Sequence, residues 1–560
     1  MAVLPPGVDA AVFARACDRF SEAVGRDWVL TSDEDLLPYR DHWSPVPLAE
    51  DELLASAAVG PASVEEVQAI VRIANEFRIP LYPISTGKNF AYGGPAPSLR
   101  GSVVVDLKRM NRILEVDAER HFALVEPGVS YFDLYEHIQN RGLKVWVDTP
   151  DPGWGSPIGN TMDRGIGYTQ GFYRDHAGAQ YGLEVVLANG EVMRTGMGAL
   201  PGSRTWQDYK YGFGPDPAGL FAQGNFGIVT KMGLRLMPQP EHWRNGLVTV
   251  PRRRDFAPLV RTVNYLTDLG LIGEPWYGSP LRALMTDDAF RRAATRRGGF
   301  DEDELDRLAA DKGLHSWQVE LQCYGSEGTT RAAWEYAKEL VQSNIPGARV
   351  TDGESLPVPL TADQIAATTG PYPTNMRRNV TQGVPSLEIW SRLGRTEAMP
   401  DSWSQGHVGL FAVIPRTAEA VFEAQQVFGD TLRELGLESG ISAISTPLNW
   451  HQFSFFFSAG FSSGGGNADG TVEGKRRTAE GLEALLTKAA ERGWGEYRAA
   501  PYFQDAVAAR YSFNDNALRR FNEALKDAVD PNGILAPGRG GIWPARMRDT
   551  RGGSRGAGDA

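Results

Sequence analysis

The sequence predicts an α+β chain of two domains, and three observations predict it. Its 560 residues are too many for one compact core, since single cores stop growing near about 250–300 residues. Helical and strand periodicities alternate along it. Near Pro238 glycine-rich loops give way to charged helices and longer alternating strands, and after the last helix the glycine-rich loop returns. A content of 42% hydrophobic and 22% charged residues is that of an ordinary globular protein with a large core.

Residues 63–77 open on a capping pair, Ser63 and Glu66, and carry Val67, Ile70, Val71, Ala74 and Phe77 at helical spacing, which predicts an amphipathic helix. A short apolar strand follows over 79–84, then a turn-rich loop over 85–94. Strands are expected at 103–107 and 122–126, and a helix at 131–140 closed by Gly142. Asn189-Gly190 supplies the positive φ of a tight turn, so 184–187 and 191–194 form a hairpin. Beyond Pro238, strands at 317–323, 407–414 and 450–458 with helices at 301–310, 418–435 and 475–492 suggest an antiparallel sheet covered by helices. Residues 461–470 read as a flexible surface insertion, 516–529 as the final helix, and the chain from Arg546 as a disordered tail.

Lys and Arg number 57 against 69 Asp and Glu, a net charge of −12 and the wrong sign for a protein that lives on phosphate backbones. No stretch reaches the roughly 18–20 apolar residues of a membrane span, and no signal-peptide pattern opens the chain, so a cytoplasmic location is expected. Cys17 and Cys323 read as free buried thiols. The nearest of the eight histidines are His121 and His137, too far apart for a local metal-ligand pair, so no metal is expected.

Glycine is in excess, with 63 residues, and concentrates at 87–94, 153–171, 196–202 and 224–227. The runs 153–159 and 196–202 imitate a dinucleotide fingerprint. Each has its last glycine one place late and a proline where the phosphate-binding helix would run. Two readings remain: loops that wrap a pyrophosphate with several backbone N–H groups at once, or ordinary tight turns.

Taken in order, these loops resemble the vanillyl-alcohol oxidase and p-cresol methylhydroxylase family of flavoproteins, most nearly its bacterial eugenol-oxidase type of 4-phenol oxidase. The resemblance is carried by Pro83-Ile84-Ser85-Thr86-Gly87-Lys88-Asn89 with Tyr92-Gly93-Gly94, by Glu126-Pro127-Gly128-Val129, by Gly159-Asn160-Thr161 and by Arg164-Gly165-Ile166-Gly167-Tyr168-Thr169. Arg194-Thr195-Gly196-Met197-Gly198, Gly227-Ile228-Val229-Thr230-Lys231 and Asp530-Pro531-Asn532-Gly533-Ile534-Leu535-Ala536-Pro537-Gly538 continue it. It implies an FAD-binding domain made of both chain ends, 1–240 and 496–545, around an antiparallel-sheet substrate cap at 241–495, with 546–560 as the tail. FAD contacts are then implied for Ser85, Thr86, Gly87, Lys88, Asn89, Gly159, Asn160, Gly167, Gly227, Ile228, Val229, His451 and Arg539.

The resemblance also implies the chemistry. Glu496-Tyr497-Arg498 matches the family's phenol-binding Tyr-Arg pair, and Tyr92 supplies a second hydroxyl. A guanidinium and two hydroxyls stabilise a phenolate; apart from the resemblance, these are equally a surface pair and a turn tyrosine. Asp151, in Thr149-Pro150-Asp151-Pro152-Gly153, matches the active-site aspartate and suits a general base, or else caps an Asx-turn. His407 matches the histidine that bonds covalently to the flavin, although a lone strand histidine also serves structure. Tyr168, Gly409, Phe411 and Phe453 are expected to line the substrate pocket.

The implied activity is oxidation of para-substituted phenols (4-alkyl, 4-allyl or 4-hydroxymethyl) by hydride transfer to FAD through a quinone methide, with O2 reduced to hydrogen peroxide, in a homodimer. Two alternatives stand beside it: the same chemistry with electrons passed to a cytochrome partner, and a catalytically silent binding protein on the same fold.

Overall fold

The structure, a computed structural model, describes residues 3–41, 44, 52–89, 92–150, 152–281, 302–366, 379–387, 407–437, 448–451, 454–462 and 472–550. At 172, 302, 365–366, 407–409, 448–451, 454–462, 472–475, 478 and 550 it describes the backbone alone. The fold is the two-domain α+β architecture that the sequence predicts.

The first unit holds two main sheets. One has the strand order Val29–Leu30, Ala57–Val59, Val103–Asp106, Leu81–Ile84, the last three mutually parallel. Helix Val64–Phe77 covers it because Val67, Ile70, Val71 and Ala74 fall on one buried stripe. Ser63 caps it by accepting from the Glu66 N–H, while the Glu66 carboxylate reaches back to the Ala62 N–H rather than to that of Ser63. The second sheet is antiparallel, in the order Ile113–Asp117, Phe122–Val125, Ile228–Arg235, Gln180–Val186, Val192–Arg194. Its last pair is the expected hairpin, with Gly190 at φ +83°.

The chain's far end returns to the first sheet. Leu535 bridges Leu81 in parallel, the Leu81 N–H donates to Ile534 O at 2.7 Å, and Ile534 and Leu535 join the same apolar core as the helix stripe. The return is secured by Lys526, fully buried on helix Phe513–Val529. Its ammonium meets Asp530 Oδ2 at 2.8 Å and donates to the carbonyls of Asn225 and Leu535, each at 2.5 Å.

The second unit is one eight-stranded antiparallel sheet, in the order Arg349–Pro357, His242–Val250, Trp317–Gly325, Trp276–Gly278, Leu448–His451, Ser454–Ser462, His407–Pro415, Gly495–Glu496. Residues of helices Phe256–Asp268, Glu327–Asn344, Ala418–Glu434 and Val472–Glu491 pack with it in a single core around Trp317, Trp334 and Phe428.

Two expectations are revised. The single strand at 450–458 is two strands that pair with each other, Trp450 opposite Phe455 and His451 opposite Ser454. An unbroken period-two pattern does not reveal a reversal of direction. Strand Gly495–Glu496 closes this sheet, and Ala500 and Phe503 just after it pack into the same core. The tail beyond 546 begins as a turn of 3₁₀ helix, Ala545–Thr550, because Arg546 donates to Asn532 O at 2.5 Å and Arg548 pairs with Asp527 at 2.5 Å.

Replacing Lys526 by Met would leave the fully buried Asp530 without its cation, an uncompensated charge that costs about 3–5 kcal/mol. Thermal or urea unfolding of that variant is expected to show a loss of this size, with the C-terminal segment released first in hydrogen exchange.

Candidate active site

Strand Leu81–Ile84 delivers the loop Ser85, Thr86, Gly87, Lys88, Asn89 to the wall of a cleft with about 1500 Å³ of empty space, its open mouth included. Among the described residues, none of these five backbone N–H groups has a hydrogen-bond acceptor. Gly87 turns the loop at φ +67°, and successive amides around a left-handed residue form an anion nest. The short helix Pro157–Met162 lies directly against the loop: a Cβ on Gly159 would sit 2.1 Å from Ser85 Oγ. Gly159, Asn160, Gly227 and Val229 line the same cleft.

The same cleft wall carries Tyr92, Tyr497, Arg498, Phe411 and Tyr168. The Arg498 guanidinium carbon lies 3.7 Å from the Tyr92 ring centroid and 5.6 Å from that of Tyr497. The Phe411 ring lies 5.3 Å from that of Tyr92, and Tyr168 meets Trp276 edge-on at 6.4 Å. Burial lifts the Tyr92 phenol well above its usual value and that of Tyr497 to about 12, in each case more than Arg498 lowers it. Burial by itself would lower Arg498, but Tyr497, Tyr92 and Asp163 hold it above the ordinary guanidinium range. At neutral pH the cluster is therefore one permanent cation and two intact O–H donors. Arg498 Nε is buried and has no hydrogen-bond partner among the described residues, which points to a ligand.

Two carboxylates organise this cluster. Asp163, at the C-terminus of helix Pro157–Met162, accepts from Asn89 Nδ2 and Gln223 Nε2, each at 2.5 Å, and from Arg539 Nη2 at 3.2 Å. It also faces Arg498 Nη1 at 3.6 Å. Arg539 in turn donates to Tyr82 Oη at 2.8 Å. Glu496 is 6% exposed; its Oε2 accepts from the Phe411 N–H at 2.6 Å and its Oε1 from the Arg498 N–H at 3.2 Å. Burial pushes this carboxyl up to about 7, against the pull of the Phe411, Arg498 and Tyr497 amides and of the Arg498 charge.

The cleft thus gathers Ser85 to Asn89, Tyr92, Gly159, Asn160, Tyr168, Gly227, Val229, Phe411, Tyr497, Arg498 and Arg539. Two expected contacts do not line it. Ile228 packs into the core of the first sheet, because strand alternation turns it away from Gly227 and Val229. Gly167 leaves room for a buried pair, as its Cβ would fall 1.2 Å from Asp148 Oδ1. That pair is Asp148 and His176, 2.9 Å apart, with the other ring nitrogen 2.9 Å from Asn160 Oδ1.

Asp151 and Phe453 lie outside the described residues, although Pro150 and Pro152 both line the cleft. His407, Gly409 and His451 are placed by backbone alone, in strands His407–Pro415 and Leu448–His451.

Sequence reasoning missed Asp163, Gln223, Asp148 and the role of Glu496. Asp163 stands between the quoted Gly159-Asn160-Thr161 and Arg164-Gly165 motifs, and a carboxylate within a glycine-rich segment was the signal available there. No group of three or more His, Cys, Asp or Glu that could hold a metal occurs among the described residues, and no helix there is long and apolar enough to cross a membrane.

An anion nest and an arginine–tyrosine cluster on the wall of one cleft suit a cofactor-dependent enzyme, and the comparisons name the cofactor. Residues 55–196 match the FAD binding domain family. The chain is 35% identical, over 97% of its length and 98% of the relative's, to the flavoprotein subunit of 4-cresol dehydrogenase [hydroxylating] from Pseudomonas putida. It superposes on 4-ethylphenol oxidase from Gulosibacter chungangensis in complex with isoeugenol at TM-score 0.80 and 33% identity, covering 97% of this chain and 100% of that one. On p-cresol methylhydroxylase with substrate bound the values are 0.81 and 32%, covering 97% and 99%. The chain belongs to the vanillyl-alcohol oxidase and p-cresol methylhydroxylase family of flavoproteins and is an FAD-dependent oxidoreductase. The unpaired amides of residues 85–89 and the glycine-backed wall opposite them fit the diphosphate of that cofactor.

Changing Asp163 to Asn would remove the charge that holds Arg539 and Arg498. With charge-assisted bonds worth about 1.5–3 kcal/mol, the variant is expected to bind FAD at least about tenfold more weakly in fluorescence titration, with its far-UV circular dichroism unchanged.

Proposed function

We propose that this chain oxidises phenols carrying a para alkyl, allyl or hydroxymethyl group, binding them as phenolates at Tyr92, Tyr497 and Arg498. The observation that carries the reading is the largely buried Arg498 on the cleft wall, flanked by two tyrosines that stay protonated. A free phenol ionises near pH ~10; a permanent cation and two neutral donors stabilise its anion selectively. The ionised oxygen pushes electron density through the ring, a hydride leaves the benzylic carbon, and the substrate becomes a para-quinone methide. Bound FAD supplies the two-electron sink for that hydride, with O2 as the proposed final acceptor and hydrogen peroxide as its product.

Residues 85–89, Gly159, Asn160, Gly227, Val229 and Arg539 hold the cofactor in this reading, and His407 is the proposed point of covalent attachment. Gly167, Ile228 and His451 support it from behind the cleft or along the sheet. Asp151 takes a proton from the water that adds to the quinone methide, or from a benzylic alcohol on its way to an aldehyde. Tyr168, Phe411, Gly409 and Phe453 bound the substrate ring. We assign the cofactor unit to 1–240 and 496–545 and the cap to 241–495, in a homodimer.

The 4-ethylphenol oxidase and 4-cresol dehydrogenase relatives support the substrate class. That the relative from Pseudomonas putida is a dehydrogenase subunit favours a second reading, in which the electrons pass to a cytochrome. Peroxide formed from a 4-alkylphenol and air alone, without added acceptor, decides for O2; flavin that stays reduced in air decides for the cytochrome.

Tyr497→Phe removes one hydrogen bond to a charged oxygen, about 1.5–3 kcal/mol, so kcat/KM is expected to fall by roughly 10- to 150-fold. The flavin content of the variant should be unchanged, and near-normal turnover would overturn the reading.

A further inference from the structure

The phenolate site has an excess of negative charge only when it is filled. Two cations, Arg498 and Arg539, and two carboxylates, Asp163 and Glu496, are joined by direct contacts there, so that contact cluster is balanced when both carboxylates are ionised, and a phenolate adds one negative charge to it. The two carboxylates are not equally held. Asp163 faces both guanidinium groups and two side-chain amides. Glu496 is held by the backbone N–H groups of Phe411 and Arg498. Protonation leaves an acceptor lone pair on each of its oxygens, so this clamp survives the change of charge.

We propose that Glu496 is the proton sink of the phenolate site: as a phenol binds and loses its O–H proton, the Glu496 carboxylate takes one up, and the pair of events releases little net proton to solvent. The inference rests on the phenolate reading above. One O–H bond breaks on the substrate and one forms on the carboxyl, with solvent as the carrier. The groups that face Glu496 are consistent with this role. Arg498 favours its anion, whereas the Tyr92 and Tyr497 oxygens are themselves disfavoured as anions by Glu496. On the remaining side the Tyr511 hydroxyl donates to the Glu496 carbonyl at 2.7 Å, with Arg164 beyond it. A carboxyl that titrates at about 7 when the site is empty moves higher beside a phenolate.

The sign follows by linkage. Well below the free value Glu496 is already protonated, so binding releases a full proton; above it, uptake cancels the release until the raised value in the complex is passed.

The test mixes the holoenzyme with 4-fluorophenol, which has no benzylic C–H to react, in weakly buffered solution, and follows a pH indicator together with the ultraviolet band of bound phenolate. Release is expected to fall from about one proton per phenolate near pH ~5.5 to less than about half near pH ~8. Glu496→Gln should release one at both values and bind the phenol several-fold more tightly near pH ~8. A full proton released by the wild type at both pH values, with the phenolate band present, overturns the role of Glu496 alone; this needs no variant to fold. Absence of the phenolate band overturns the function reading and this inference with it.

Discussion

A single, largely buried guanidinium is the interaction on which the site depends. Taking Arg498 out of water costs several kcal/mol unless opposite charge and hydrogen bonds replace the solvent. The fold replaces it with Asp163 on one side and the face of Tyr92 on the other, a cation–π contact that strengthens when desolvated. Nε is left over for a ligand. The cation can therefore act on a substrate oxygen because the rest of its demand is already met.

Meeting that demand requires parts of the chain that are far apart. Asp163 and Arg498 are 335 residues apart in sequence, and Asp163 and Arg539 are 376 apart. The long return of the C-terminal segment to Leu81, held by Lys526 and Asp530, brings Arg539 to Tyr82 and Asp163. The large sheet ends in the short strand Gly495–Glu496, which sets the two residues after it at the mouth of the first unit. The nest at 85–89 and the arginine cluster then share one cleft, whose residues would hold FAD beside the proposed substrate site.

Much of this was legible in the sequence, for physical reasons that differ by element. Val64–Phe77 and the hairpin at Asn189-Gly190 are local: a cap, a stripe of apolar residues and a left-handed glycine are written in neighbouring residues. The two-unit architecture was legible as a change of composition. Asp163 was not, since its meaning lies in four partners drawn from distant segments. Glu496 sat inside a recognised motif, but its burial and its clamp on Phe411 are tertiary facts. The strand reversal after His451 was hidden because period-two alternation looks the same in a strand and in the first half of a hairpin.

The central claim is that the substrate must be an anion at Arg498 before it can give up hydride. Anaerobic bleaching of the flavin absorbance, followed with 4-ethylphenol and with its methyl ether, tests this most directly, because the ether keeps the benzylic C–H and cannot ionise. The account predicts that the phenol bleaches the flavin and that the ether does not at any concentration. Bleaching by the ether at a comparable rate would contradict it.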